Sequence, residues 1–174
     1  MIDYCIDGSA VRLRQWRDAD LTTLQTLRND SHLQAQVLTR ASGSSIEQVR
    51  DWLSSRDTNM TARFYVVATR EADDAVGYLQ FMGLDSTDRR AELGICLSPS
   101  AQGRGFGTEA IALGLAHLKA THELRKCTLQ VRSDNERAIR CYQRLGFEIC
   151  GVLRRHILLE GVLWDVLLME WLAE

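Results

Sequence analysis

The chain has 174 residues, 45 % of them hydrophobic and 25 % charged, with 21 Lys and Arg against 23 Asp and Glu for a formal charge of -2. That profile fits one globular domain able to bury its own core without a disulfide or structural metal. It excludes a general electrostatic attraction to nucleic acid or to an acidic membrane.

The five cysteines (Cys5, Cys96, Cys127, Cys141, Cys150) are an odd number, contain no C-x-x-C pair and mostly lie in apolar stretches, as reduced thiols do. Met1 to Tyr4 is not a basic region leading into an apolar run, and no window reaches the roughly 18 apolar residues of a membrane span. A cytoplasmic protein, neither secreted nor inserted in a membrane, is the expectation.

Val11 to Trp16 alternates as a strand, and Asp18 stands as an N-cap candidate before Leu21, Leu24 and Leu27, spaced for one helical face. Ser31 to Ser45 is polar and irregular, a loop candidate. It ends in a capping-box pattern at Ser45 that launches Ile46, Val49 and Leu53 along a second helix. Phe64 to Thr69 and Ala75 to Met82 form a hairpin-like pair, and Arg89 to Leu97 adds a strand with Ala91, Leu93, Ile95 and Leu97 on one face. A glycine-rich turn then leads into a helix reaching about Ala120, on which Ile111, Leu115 and Leu118 share a side. Cys127, Leu129 and Val131 alternate as a strand, and a helix from about Asn135 to Leu145 ends at Gly146. Phe147 to Leu159 and Val162 to Met169 read as strands joined tightly at Glu160-Gly161. Without repeat or linker, this mixed α/β order suits a single domain over residues 1-174, one sheet covered by helices.

The sharpest chemical feature is Gln102-Gly103-Arg104-Gly105-Phe106-Gly107-Thr108, between a strand and the first turn of a helix. Glycines let a ligand approach the backbone, and free N-H groups at a helix start favour phosphate; Arg104 adds a cation. The loop lacks the Gly-Lys-Ser/Thr of a P-loop and the G-x-G-x-x-G spacing of dinucleotide sites. By itself it also reads as an ordinary glycine turn.

With its surroundings, Gln102-x-x-Gly105-x-Gly107 resembles the Q/R-x-x-G-x-G/A motif of the GNAT N-acetyltransferase superfamily. Downstream, the run from Asn135 through Ala138 and Tyr142 to Gly146-Phe147 resembles that family's N-x-x-A-x-x-x-Y-x-x-x-G-F signature. From Arg89 to Met169 the text is similar to bacterial spermidine N-acetyltransferases and ribosomal-protein N-terminal acetyltransferases, and more weakly so back to Val11. The resemblance implies a central, mostly antiparallel sheet of about seven strands flanked by helices. It implies acetyl-CoA as co-substrate, with no metal, and direct transfer to a primary amine. It places the pyrophosphate on the loop from Gln102 through Gly103, Arg104, Gly105, Phe106 and Gly107 to Thr108, and the pantetheine arm along the backbone of Ile95 and Leu97. Asn135, Ala138 and Tyr142 would line the groove, with Tyr142 protonating the departing thiolate. The same residues also suit a non-catalytic CoA-binding regulatory module.

An alkylammonium of pKa about 10.4 must lose a proton before it attacks a thioester. Glu92 is the candidate base, opposite in parity to Ala91 and Leu93, although pairing with Arg89 or Arg90 would explain it equally. Some ribosomal-protein acetyltransferases carry a glutamate where this chain has Gln130, which cannot serve as a base, so a water-mediated route is the alternative. Tyr142 also reads as a half-buried packing residue. Asp165 either shapes the acceptor pocket or stabilises the last hairpin, and Trp16 and Trp52 either line an acceptor cleft or pack in the core. Cys141 has no His or Asp placed to activate it, and the four histidines show no metal-binding spacing.

From Ser31 to Ile46 there is Arg40 and no carboxylate. Such a loop argues against a polyamine and for a singly charged or phosphate-bearing amine, such as an amino sugar, or for a protein N-terminus. A homodimer through edge pairing of Val162 to Met169 is compatible with this reading.

Overall fold

The computed structural model describes residues 5-173. In chain order they form β1 (Cys5–Asp7), β2 (Val11–Arg14), α1 (Leu21–Asn29), α2 (Ser31–Gln36), α3 (Ile46–Asp57), β3 (Arg63–Thr69), β4 (Ala75–Asp85), β5 (Arg90–Leu97), α4 (Phe106–His122), β6 (Lys126–Arg132), α5 (Glu136–Arg144), β7 (Glu148–Leu159) and β8 (Val162–Leu172). The eight described strands make one mixed sheet in the order β1-β2-β3-β4-β5-β6-β8-β7, antiparallel throughout except between β5 and β6.

The sheet has one strand more than expected. β1 is three residues long, too short to show alternation, and pairs with β2 from Cys5 opposite Arg14 to Asp7 opposite Arg12. The turn joining them is tied to α4 by the Glu109 carboxylate, which accepts from the backbone N-H of Ser9, Ala10 and Val11 and from the Ser9 hydroxyl.

Ser31 to Ser45 is not wholly irregular, because α2 occupies its start. The Asp30 carboxylate caps it by accepting from the Leu33 amide at 2.9 Å, and Gln34 fastens it by donating to the Leu27 carbonyl at 2.9 Å. Six residues are too few for a period to be visible. The capping box at Ser45 forms as expected.

Asp18 does not cap α1; it opens a 3-10 turn, Asp18–Asp20, ahead of the helix. The carboxylate that organises this corner belongs to Asp20, which accepts from the Arg17 amide at 2.8 Å and from Nη1 and Nη2 of Arg14 at 2.7 and 2.9 Å. Asp73 completes the network, accepting from Arg14 Nε at 2.9 Å.

The edge-pairing expectation for Val162 to Met169 is overturned: β8 lies between β6 and β7, and the terminal strand of that side is β7. The turn between them has positive φ at Glu160 and Gly161, 50° and 78°, as a type I′ hairpin requires.

Helices cover both faces of the sheet. On one, Ile111, Leu115 and Leu118 of α4 pack with Leu79, Phe81 and Leu93. On the other, α1 and α3 bring Leu24, Leu27, Val49 and Leu53 onto Phe64, Val66, Tyr78 and Cys96.

The feature that positions the site is a failure of pairing. β5 and β6 pair at only three positions, Arg90 to Glu92 opposite Lys126 to Thr128. Both strands nevertheless continue, β5 beside β4 to Leu97 and β6 beside β8 to Arg132. Beyond Glu92 the sheet therefore opens as a wedge, exposing a strand edge inside the protein.

Candidate active site

The wedge holds a cavity of about 540 Å³ that runs from the glycine loop to the turn after α2. Just past the end of β5, the Ser98 amide donates to the Val76 carbonyl of β4 at 2.8 Å. Strand alternation then turns the backbone groups of Ile95 and Leu97 the other way, toward the edge that β6 has left. The Leu97 carbonyl is already engaged, accepting from Gln102 Nε2 at 2.8 Å. Gln102 Oε1 in turn accepts from Arg137 of α5. Gln102 thus joins strand, loop and helix, a bracing role that the motif alone did not reveal.

Gly103 and Gly105 have φ of 75° and 82°, a conformation other residues adopt at a cost, and a Cβ at either would meet nothing within 4 Å. Their bare backbone faces open space. Gly105 is the N-cap of α4 and no side chain caps that helix, so its first N-H groups remain available to a phosphate. Gly103, Gly105, Gly107 and Thr108 line the cavity, whereas Arg104 and Phe106 do not. Phe106 is buried in the core, with the Arg104 guanidinium 4.6 Å above its ring.

Asn135 lines the cavity and also caps α5, accepting from the Ala138 amide at 3.2 Å. Ala138, Cys141 and Tyr142 present the next part of that helix to the cavity. Tyr142 is 8 % exposed, 5.9 Å from the Phe147 ring, and burial pushes its phenol well above the ordinary range. Cys141 Sγ lies 3.1 Å from the Thr108 hydroxyl, with no His or Asp partner.

Glu92 lines the cavity from β5. The alternative pairing does not form: Arg89 pairs with Glu123, and Arg90 with Asp85 and Asp88. Glu92 stands opposite Met82, and Gly94 opposite Gln80. Their parity with Tyr78 and Cys96, which pack against α1 and α3, assigns these residues to that face. Tyr78, Gln80 and Met82 of β4, Gln36 to Thr39 and Arg56 of α3 complete the wall. Sequence reasoning missed them; a glutamine alternating with Tyr78 and Met82 in an apolar strand was the available signal, and Arg56 had none. Gln130 lines the wall from β6.

Three further residues fall outside the cavity. The Asp165 carboxylate accepts from the Arg155 amide at 2.6 Å, where β7 shifts register and Arg155 takes a φ of 48°, so it stabilises the last hairpin. Trp16 donates to Asp57 at 2.9 Å, and Trp52 packs edge-on against Phe64 and Tyr78 at 5.2 and 5.7 Å. Among the described residues no cluster of three or more His, Cys, Asp or Glu could hold a metal, and no helix is long and apolar enough to cross a membrane.

A family model described as an acetyltransferase (GNAT) domain matches residues 10-148. The chain is similar to spermidine N(1)-acetyltransferase of Escherichia coli, 28 % identical over 153 residues that cover 87 % of this chain and 80 % of that one. It is also similar to ribosomal-protein-serine acetyltransferase of Escherichia coli, 29 % identical over 94 residues, 54 % of this chain and 52 % of that protein. The fold matches that of spermidine N-acetyltransferase from Vibrio cholerae, solved with CoA and spermine, at a TM-score of 0.87 and 24 % identity over 95 % of this chain and 96 % of that one. With an open strand edge, an uncapped helix start and a family match over well over half its length, the chain belongs to the GNAT acetyltransferases and is an N-acetyltransferase that uses acetyl-CoA.

Proposed function

We propose that the chain transfers an acetyl group directly to a primary amine of a small molecule or a protein N-terminus, with Tyr142 as general acid and Glu92 drawing the proton from the amine, directly or through water. The observation that carries this reading is the single wedge lined by both side chains, one from α5 and one from β5. Acetyl-CoA supplies the acetyl group as a thioester. The Ile95 backbone and the Leu97 N-H hold the arm that carries it by strand-like pairing, and the α4 N-terminus holds its phosphates. As the C-N bond forms and the C-S bond breaks, Tyr142 gives its proton to the sulfur and the amine's proton passes toward Glu92. Burial keeps the phenol protonated, so the proton is in place on Tyr142, and a bare thiolate in the same cavity would also be penalised.

Direct transfer is supported by the surroundings of Cys141, whose thiol meets the Thr108 hydroxyl and, among the described residues, no base. The relatives named above act, by their names, on spermidine and on a ribosomal protein, so amines of both sizes belong to the acceptor class. The five free cysteines suit a reducing, cytoplasmic setting. Steady-state kinetics test the proposal: varying both substrates gives intersecting reciprocal plots for direct transfer. Parallel lines would establish an acetylated enzyme and remove the direct step.

A further inference from the structure

The acceptor side of the cavity has an unusual charge balance. Among the described residues, the charged lining of the whole cavity consists of Arg56, Arg137 and Arg144 against one carboxylate, Glu92, and Arg137 and Arg144 belong to α5. Arg137 is engaged by Gln102. Arg56 lines the same cavity as Tyr78, Gln80, Met82 and the proposed base Glu92. Its guanidinium carbon is 5.6 Å from the centre of the Trp52 ring, and that of Arg28 is 4.3 Å from the same ring. Both Nε atoms are buried without a hydrogen-bond partner, and neither side chain takes part in the ion pairs of the described residues. Other arginines with little exposed side chain do have carboxylate partners: Arg14 with Asp20 and Asp73, and Arg132 with Asp134.

Two half-buried guanidiniums sharing one indole repel each other. Burial first, and the nearby Arg56 charge in addition, lower the Arg28 pKa. Stacking on Trp52 offsets part of this cost and fixes each guanidinium plane while leaving N-H groups free. A half-buried cation without a counter-ion carries part of the desolvation cost, which an anionic ligand would offset. Gln80 adds a second demand, since its buried Oε1 also lacks a partner and would accept from a ligand N-H or O-H. A polyamine would bring only more positive charge to this wall.

We propose that the acceptor carries an oxyanion, a phosphate or a carboxylate, besides the amine that is acetylated, and that Arg56, supported by Arg28 across Trp52, binds it. This rests on the acetyl-transfer reading above and narrows its substrate class. The test uses matched acceptors: glucosamine 6-phosphate against glucosamine for the phosphate source, and an alanyl dipeptide against its C-terminal amide for the carboxylate. The wild-type enzyme should favour the anionic member of one pair through KM. Arg56→Gln should raise that KM about 10- to 100-fold while leaving KM for acetyl-CoA unchanged and moving KM for the member without the anion far less. Arg56→Lys, which keeps the charge and the stem over Trp52, should fall between, and serves if the glutamine variant does not fold. Equal use of both members, a preference for spermidine, or a variant that weakens both members alike would overturn the proposal. If no amine is acetylated, the transfer reading fails separately and binding decides. Inorganic phosphate should then raise the Tm of CoA-saturated wild type and not of Arg56→Gln, and no rise in either would overturn the anion site.

Discussion

Gln102 and Arg137 are joined by a hydrogen bond that closes the glycine loop onto α5, while the other end of the same amide holds the Leu97 carbonyl at 2.8 Å. The glutamine therefore braces the cofactor side from within. Gln102→Ala should leave that carbonyl and the Arg137 guanidinium unpaired and weaken acetyl-CoA binding by about 10-fold, consistent with roughly 1–2 kcal/mol for such groups. Calorimetric titration with CoA checks this. Unchanged affinity would assign Gln102 no part in shaping the loop.

Tyr142→Phe should lower kcat about 10²- to 10⁴-fold while leaving CoA affinity within a factor of two or so, the signature of a lost general acid. Because burial raises the phenol's pKa, the proton stays on Tyr142 to higher pH than in water. The wild-type rate should thus show no alkaline decline from this group below about pH 10. A decline near neutrality that vanishes in the Phe variant would contradict the assignment.

Glu92→Gln should reduce kcat/KM by about 10- to 100-fold near neutral pH. The deficit should shrink as pH approaches the amine's own pKa, about 10.4 for an alkylamine and about 8 for a peptide N-terminus, where the nucleophile is already neutral. A deficit constant across that range would make Glu92 a positioning group instead of a proton acceptor.

Asp20→Asn tests the framework beneath the site. Arg14 and Asp20 are 2 % and 3 % exposed, and Asp20→Asn leaves the buried guanidinium with Asp73 as its one carboxylate, so stability should fall by up to about 3–5 kcal/mol with the Tm following. Acid should act in the same direction through Asp73 and Glu109. Burial alone would raise both, but hydrogen bonds from Arg17 and Arg14 hold Asp73 below its ordinary value, and those from Ser9, Ala10 and Val11 do so for Glu109. A depressed folded-state pKa contributes stability above the unfolded value, near 4, which is lost as pH falls through the folded one. Melting curves from pH 6 down to 3 should show that loss, and Glu109→Gln should flatten part of it.

Most of the elements around the glycine loop were legible because their determinants are local. The glycine loop, the Asn135–Tyr142 spacing and the Ser45 capping box are each encoded within a few residues, and each forms its expected element. The misses are non-local or very short. β1 and α2 carry too few residues for periodicity and are held by Glu109 and Asp30. The interior place of β8 depends on pairing with β6, more than 30 residues upstream. Asp165 lies near no motif that would reveal its bond to the Arg155 amide. The acceptor wall joins Arg56, Gln80 and Glu92 from three elements, and only the folded sheet brings them to one cavity.

The most direct test of acetyl transfer to an amine is a mass-spectrometric screen with purified protein, acetyl-CoA and a panel of amino sugars, aminoglycosides, polyamines and N-terminal peptides. The account predicts one added acetyl group on one acceptor class, with an equimolar release of CoA that falls with Tyr142→Phe. CoA binding without acetylation of any amine would contradict it, and failure to bind acetyl-CoA at all would remove its foundation.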